Sequence, residues 1–308
     1  MTTNQKHQTL NFSGFLIAFA GAVLFSTKAI FVKKAFEQIQ VDPLTLLTIR
    51  MLFALPFYVV TAWVVRRQEP GVRMSGRQWL AILWLGIMGY YLSSLFDFIG
   101  LKYISAGLER LILFLYPTFA LLINRYVYKQ PLHRNQQLAL LLTYAGIGLA
   151  YIGELQIDTS NPNFFLGSFL IFLCSITYSF YIVGSGRIIP QVGATKFTAY
   201  AMMAATAGIF VHFALSRPWS DLQSGATLWW YGIALAVIAT VIPSFLLSLA
   251  LKRIGSNNTA IVSSIGPVST IVQAHYFLGE QIFPGQLVGT VLVVAGILML
   301  SWKKKGGS

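Results

Sequence analysis

The sequence has few of the residues on which disulfides, metal sites and acid–base chemistry depend. Its 308 residues include one cysteine, Cys174, and only nine Asp and Glu. One cysteine cannot form a disulfide within the chain, and no Cys-bearing or carboxylate-rich set stands at metal-ligand spacing. There is also no G-x-x-x-x-G-K-[ST], H-E-x-x-H or G-x-S-x-G run. These absences argue against a P-loop ATPase, a zinc peptidase and a serine hydrolase, and we expect no metal and no cofactor.

Long hydrophobic runs, by contrast, fill most of the chain. Hydrophobic residues make up 56% of the sequence and charged residues 10%. A helix that crosses a bilayer needs about 20 mostly apolar residues, and the runs here are continuous, whereas transmembrane strands are shorter and alternate. The sequence therefore predicts an all-α polytopic membrane protein with ten transmembrane helices, at residues 12–33, 43–65, 77–98, 105–127, 136–153, 164–184, 195–215, 227–249, 258–279 and 285–302.

The chain repeats itself with an offset of 150 residues. The recurring identities fall in separate stretches: Leu101 and Lys102 recur as Leu251 and Lys252, Pro117 as Pro267, Tyr126 as Tyr276, Gln136 as Gln286, and Ala145 and Gly146 as Ala295 and Gly296. They predict two five-helix repeats, residues 1–155 and 156–308. Because five is odd, the second repeat must enter the membrane from the opposite face. Inverted repeats of this kind are typical of transporters that alternate access to a midplane site.

Positively charged residues give the expected orientation. If the N-terminus is cytoplasmic, the cytoplasmic segments carry 15 Lys and Arg and the outer segments carry four. The positive-inside rule then predicts a protein of the inner membrane with both termini in the cytoplasm. The net charge of +13 is spread over six loops and tails, so it indicates contact with an anionic lipid leaflet rather than with nucleic acid.

Residues around the fourth and ninth spans carry a resemblance to a known family. They run from Lys102-Tyr103-Ile104-Ser105-Ala106 to Pro117, and from Lys252-Arg253-Ile254-Gly255-Ser256 to Pro267 and Leu278-Gly279-Glu280. With its two fused five-helix units and Arg50 in the second helix, the chain resembles the EamA-type ten-helix exporters of the drug/metabolite transporter superfamily. It departs from them at Lys129-Gln130, where members often have Gly-Glu. The resemblance implies export of amino acids, metabolites, dyes or drugs.

Apart from the Lys and Arg at span ends, which are counted above with the flanking segments, five charged side chains lie inside the predicted spans, all in the first repeat: Lys28, Arg50, Asp97, Glu109 and Arg110. A charge at membrane depth costs about 2.5–3.5 kcal/mol or more, so it requires a partner or a function. The predicted topology places all five in the outer half of the bilayer. One interpretation is a vestibule or gate in which the two carboxylates pair with the two arginines. The other is that Lys28 snorkels and the rest are structural ion pairs.

The positions 150 residues after these charges are all uncharged: Tyr178, Tyr200, Leu247, Thr259 and Ala260. Proline, in contrast, occurs at equivalent positions of the two repeats. Pro117 and Pro267 each remove a backbone hydrogen bond near mid-membrane and predict paired kinks that line a substrate path, although prolines also occur in membrane helices that line nothing.

Polar side chains of the fourth and ninth spans complete the candidate site. The further residues predicted for substrate binding or gating are Tyr116, Asn124, Ser264, Gln273 and His275. A histidine titrates near neutral pH, so His212 or His275 could couple transport to protons. More often a lone histidine near the end of a span only forms a hydrogen bond.

The predicted function is secondary export of small organic metabolites by alternating access, without enzymatic activity. The five span charges sum to +1, so the arginines could bind a carboxylate while Asp97 and Glu109 bind an ammonium group. This favours amino acids or related zwitterions. Two alternatives stay open: a broad exporter of drugs or cations, and a membrane-embedded enzyme acting on a lipid-linked substrate. The expected partners are one small-molecule substrate and the lipid bilayer, and we expect a monomer.

Overall fold

Helices make up nearly all of the chain that the computed structural model describes, which is residues 12–68, 74–129, 134–157, 162–223, 225–263 and 265–301. The first half contains α1 (Phe12–Ile39), α2 (Pro43–Gln68), α3 (Gly76–Gly100), α4 (Ala106–Tyr126) and α5 (Arg134–Ile157). The second half contains α6 (Phe164–Val192), α7 (Ala194–Ser216), α8 (226–263), α9 (Gly266–Leu278) and α10 (Pro284–Ser301). These ranges contain no strand, and the all-α prediction is confirmed.

Within the described residues, α1 to α8 each contain a stretch that is long and apolar enough to cross a membrane. α10 contributes a shorter apolar stretch, Pro284–Gly296, and α9 has 13 residues. A bilayer core about 30 Å thick requires roughly 20 helical residues, so these last two fall short of a full span by length alone. The prediction of a multi-pass helical membrane protein is confirmed, while the count of ten full spans stays a prediction.

The sequence predicts a non-helical break at residues 250–257, between spans eight and nine, and this prediction is wrong. α8 consists of Ala226–Ala236, a π-helical turn at Val237–Val241, and Ile242–Ser263, so helix continues through residues 250–257. The charged and polar residues there predicted a loop, but no proline stands between 244 and 266 to interrupt the hydrogen-bond ladder.

The chain nonetheless reverses direction between Ile254 and Gly266, as its contacts along α1 show. In chain order those contacts are Leu246 beside Gly21, Ile254 beside Gly14, and Gly266, whose carbonyl accepts from Ser26 at 3.2 Å. The contacted position on α1 therefore moves from residue 21 toward its N-terminus, at residue 14, and then back toward its C-terminus, at residue 26. α9 consequently runs back across the molecule, as the sequence predicts for the ninth span.

The two halves repeat their irregular backbone as well as their sequence. A π-helical turn at Ile87–Leu92 in α3 has its counterpart at Val237–Val241 in α8, 150 residues later. α4 is interrupted at residues 114–115, and Pro117 lies in the first turn of its second segment; Pro267 lies in the first turn of α9. Proline is tolerated in a first turn because the N–H it lacks has no partner there. The two prolines therefore mark paired interruptions of the helical path.

Helix ends meet in two groups, one on each side of the molecule. One side joins the end of α1 to α8 through Tyr231 and Gln38 (2.7 Å), and α2 to the end of α7 through the ion pair of Asp42 and Arg217. The other side joins the starts of α1 and α3 to distant helices through Ser13 with Arg253 (3.2 Å) and Gln78 with Gln191 (3.1 Å). Successive helices that alternate in direction produce this grouping. The first side is the one that the sequence predicts to face outward.

α5 and α10 approach each other closely at the edge of the molecule. Gly146 and Gly289 meet at the crossing, where a Cβ on either residue would collide with the carbonyl oxygen of the other. The lack of a side chain at both positions sets the short distance between the helices, as at other membrane-helix crossings. With these two helices paired at the edge, the other helices surround the charged side chains at the centre.

Candidate functional site

A cavity of about 330 Å³ lies between the two halves of the chain. Small-molecule sites in proteins occupy about 300–1,000 Å³, so its size suits a small solute. The wall is formed by side chains of α1 to α4 from the first half and of α6 to α8 from the second. The structure brings five of the predicted binding or gating residues to this wall: Lys28, Arg50, Asp97, Arg110 and Tyr116.

The wall of the cavity reflects the sequence repeat. Residues of the first half and their counterparts 150 positions later line it together: Lys28 and Tyr178, Tyr90 and Thr240, Ser94 and Ser244, Asp97 and Leu247, Leu113 and Ser263. The cavity therefore lies at the interface of the repeats, which is where transporters built from inverted repeats hold their substrates. All of the charged residues in the wall belong to the first half.

One buried ammonium group lies between two buried carboxylates. Lys28 Nζ is 2.7 Å from Asp97 Oδ2 and 3.9 Å from Glu109 Oε1. The three side chains are 10%, 1% and 0% exposed, respectively. Asp97 lines the cavity, whereas Glu109 lies behind its wall. This cluster corrects the predicted gate, in which Arg50 and Arg110 pair with the carboxylates, and it shows that Lys28 does not snorkel away from them.

The two arginines instead contact neutral groups. Arg50 Nε donates to Thr240 Oγ1 at 2.9 Å, and its guanidinium carbon lies 5.5 Å from the centre of the Phe98 ring. The guanidinium carbon of Arg110 lies 5.4 Å from the centre of the Phe114 ring. Among the described residues, Arg50 Nη1 and Arg110 Nε have no hydrogen-bond partner. Each guanidinium is thus a buried charge with a donor still available.

Aromatic rings and hydroxyls complete the wall. Tyr116 and Tyr178 meet edge to face with ring centres 5.2 Å apart, and Tyr58 Oη lies 3.3 Å from Ser244 Oγ. Of these residues, Tyr116 is among those that the sequence predicts for substrate binding or gating. The sequence gives no signal for Tyr58, Thr240 or Ser244, because a single hydroxyl in an apolar run has no distinguishing pattern.

Three of the predicted residues lie away from this cavity. Gln273 Nε2 donates to a serine hydroxyl of its own helix at 2.8 Å. His275 is exposed, and its Nδ1 lies 2.9 Å from the Glu280 carbonyl oxygen. Asn124 is half-buried near the end of α4 and is not part of the wall. None of these three residues lines the cavity, so its geometry does not support a substrate contact for them. The fourth remaining prediction, Ser264, lies outside the described residues.

The start of α4 is held by carboxylates from both halves. Glu154 of α5 accepts from Ser105 N at 3.1 Å and from Ser105 Oγ at 2.7 Å. Glu280, which follows α9, accepts from Ala106 N at 2.8 Å and from Gly107 N at 3.3 Å. A helix start leaves such N–H groups without partners and carries partial positive charge, so carboxylates stabilise it. These contacts join the two halves on the side that the sequence predicts to face outward.

Comparison with known proteins identifies the family. A model of the EamA-like transporter family matches residues 12–152 and 165–302. The uncharacterized transporter YcbK of Bacillus subtilis (strain 168) is 30% identical over 296 residues, or 95% of this chain and 94% of YcbK. The threonine/homoserine exporter RhtA of Escherichia coli (strain K12) is 28% identical over 156 residues, or 49% of this chain and 50% of RhtA.

A solved crystal structure that is 17% identical in sequence has the same fold, with a TM-score of 0.65 over 94% of this chain and 95% of the other. The family model matches each half of the chain once, in agreement with the sequence repeat. The chain is a multi-pass membrane protein that belongs to the EamA-like transporter family.

Proposed function

We propose that the chain is a secondary transporter that exports amino acids or related zwitterions, by alternating access between the repeats 1–155 and 156–308. The observation that carries the proposal is the cavity at their interface, where Asp97 and the two arginines present opposite charges to one small volume. RhtA, which matches half of the chain, is named an exporter of threonine and homoserine, and this supports the same substrate class.

The arginines suit the carboxylate of such a substrate. Arg50 Nη1 and Arg110 Nε are buried donors without a partner among the described residues. A buried donor without a partner is unfavourable, and hydrogen bonds between a guanidinium and a carboxylate are among the strongest in proteins. A carboxylate of the ligand could therefore accept hydrogen bonds from both arginines. Asp97 offers a carboxylate to the substrate's ammonium group. Tyr116 and Tyr178 offer apolar ring surface to its side chain.

The same wall disfavours a purely cationic drug. Three of the four charged side chains in the wall are cations, namely Lys28, Arg50 and Arg110. In a site screened from bulk water, like charges at short range repel strongly. The fourth, Asp97, carries one negative charge, which does not offset the three positive ones. A cation would therefore enter a wall that is net positive.

We further propose that the protein is a monomer of the inner membrane with both termini in the cytoplasm. The distribution of 15 Lys and Arg on the proposed cytoplasmic side against four on the outer side supports this orientation. That distribution assumes that successive helices cross the membrane in alternating directions. The grouping of helix ends on two sides of the molecule supports this assumption.

Counterflow into proteoliposomes tests the substrate class. We expect amino acids with apolar side chains to exchange, and Arg50→Gln or Arg110→Gln to raise the half-saturating concentration about tenfold to hundredfold, because a hydrogen bond to a charged group contributes about 1.5–3 kcal/mol. Arg66→Gln is the matched control, since Arg66 is an exposed cation at the end of α2. If a lipophilic cation displaces labelled solute better than amino acids do, the substrate assignment is wrong.

A further inference from the structure

We propose that Thr240 is a positioning residue for Arg50: its hydroxyl, set by the π-helical turn of α8, holds the guanidinium apart from Asp97 and keeps the guanidinium available to the carboxylate of the solute. The proposal rests on the proposed function, because it assigns that carboxylate to Arg50. The contact also links the two halves of the chain, since Arg50 belongs to α2 and Thr240 to α8, and both residues line the central cavity.

The direction of each hydrogen bond at Thr240 is fixed by its partners. The hydroxyl donates its proton to the carbonyl oxygen of Leu235 at 2.8 Å, because a carbonyl can only accept. A hydroxyl has one proton, so toward Arg50 its oxygen can only accept, and Arg50 Nε donates to it at 2.9 Å. Arg50 and Thr240 are each only 4% exposed, so water competes little for these bonds. The guanidinium is therefore anchored through Thr240 to the backbone of α8.

The π-helical turn sets the position of this hydroxyl. A threonine inside a regular helix donates to the carbonyl three or four residues earlier, as Thr206 does to Met202 at 2.8 Å. Thr240 lies in the turn Val237–Val241 and donates to the carbonyl five residues earlier. π-helical turns are rare, and they occur frequently at functional sites. The irregular turn of α8 thereby fixes the acceptor for Arg50.

Without this anchor, Arg50 would have a stronger partner close by. Asp97, which pairs with Lys28 at 2.7 Å, is near enough to Arg50 to interact with it electrostatically. In the described part of the chain, Arg50 nevertheless forms no ion pair. Direct hydrogen bonds between a guanidinium and a carboxylate are stronger than a bond to a neutral hydroxyl, and they would occupy both groups that the solute needs. Thr240 is thus placed to prevent that pairing.

The anchor accompanies the charge and is not a general feature of the repeat. In the π-helical turn of the first half, the residue equivalent to Thr240 is Tyr90, whose hydroxyl oxygen lies 2.9 Å from that of Tyr181. The residue equivalent to Arg50 in the second half is Tyr200, which carries no charge. A threonine therefore stands in the π-helical turn that faces an arginine, which is expected of a residue that serves the arginine.

Counterflow into proteoliposomes measures the effect on the solute. We expect Thr240→Val, which preserves the shape of the side chain but removes the hydroxyl, to raise the half-saturating concentration of an exchanged amino acid about tenfold, with little change in the maximum rate. Thr240→Ser should restore the wild-type value, because it keeps the hydroxyl. Thr206→Val is the matched control, since it removes a buried hydroxyl that donates to its own helix. In an Arg50→Met background, Thr240→Val should cause no further rise.

Equilibrium unfolding by SDS tests the anchor without any solute. Thr240→Val should shift the unfolding midpoint to lower SDS, because the buried Arg50 Nε loses its acceptor. The shift should be smaller when Arg50→Met has already removed the guanidinium. Thr240→Ala, with the same expected results, replaces Thr240→Val if the valine variant does not fold.

The outcomes separate the two proposals. If amino acids exchange but Thr240→Val leaves their half-saturating concentration at the wild-type value, the positioning role is refuted while the proposed function stands. A rise of equal size in the Arg50→Met background also refutes it, because the hydroxyl then acts on another group. If the wild type exchanges no amino acid, the substrate class is refuted, and the unfolding measurements decide the anchor. Equal midpoint shifts in the two backgrounds would refute it, and unequal shifts would uphold it.

Discussion

Replacing Lys28 by methionine tests the charge balance at the centre of the protein. Methionine preserves most of the length and packing of the side chain but removes the ammonium group that lies 2.7 Å from Asp97 and 3.9 Å from Glu109. Removing one partner of a buried ion pair typically costs about 3–5 kcal/mol, because it leaves the other charge buried and unpaired. We expect Lys28→Met to lower the free energy of unfolding by about this amount near neutral pH.

Equilibrium unfolding of the purified protein by SDS in mixed micelles measures the effect, and Lys34→Met on the same helix is the matched control. Asp97→Asn in the Lys28→Met background should recover part of the loss. If Lys28→Met costs no more than the control, or if Asp97→Asn adds a further loss, the ammonium group does not compensate these carboxylates.

Two further predictions concern orientation and the joint between the halves. In a Cys174→Ala background, Gln223→Cys should react with an impermeant thiol reagent added outside intact cells and Gln68→Cys should not; the opposite labelling would refute the proposed orientation. Glu280→Ala should lower the free energy of unfolding by about 1–2 kcal/mol, because the first turn of α4 loses two hydrogen-bond acceptors, whereas Glu37→Ala should have little effect. Equal stability of these two variants, measured by SDS unfolding, would contradict the capping role.

The helices and the repeat were largely predictable from the sequence. An apolar run long enough for the bilayer has few alternatives to helix, because lipid leaves its backbone groups no other hydrogen-bond partners. Proline at the same place in each repeat predicted paired irregularities, and both prolines begin a helical segment. The course of residues 250–257 was not predictable, because charged residues indicate water but do not by themselves end a helix.

The partners of the charged residues could not be read from the sequence. Span positions give the depth of a side chain in the membrane, and depth correctly groups Lys28, Arg50 and Asp97 at one level. The choice between Lys28 and Arg50 as the partner of Asp97 depends on how each helix is rotated about its own axis. That rotation follows from packing between helices distant in the chain, such as the contact of Arg50 with Thr240.

The cavity has side chains from both repeats but charge from only one of them, and this limits what it can hold. If both repeats carried the charges, a bound molecule would have two equivalent positions related by the pseudo-symmetry axis. Here Tyr178 stands where the second repeat would place a lysine, and Leu247 where it would place an aspartate. The charges in the wall therefore distinguish the two repeats, and they do not give a bound molecule two equivalent positions. For the zwitterion proposed above, this asymmetry would favour the orientation that turns its charged ends toward the first repeat.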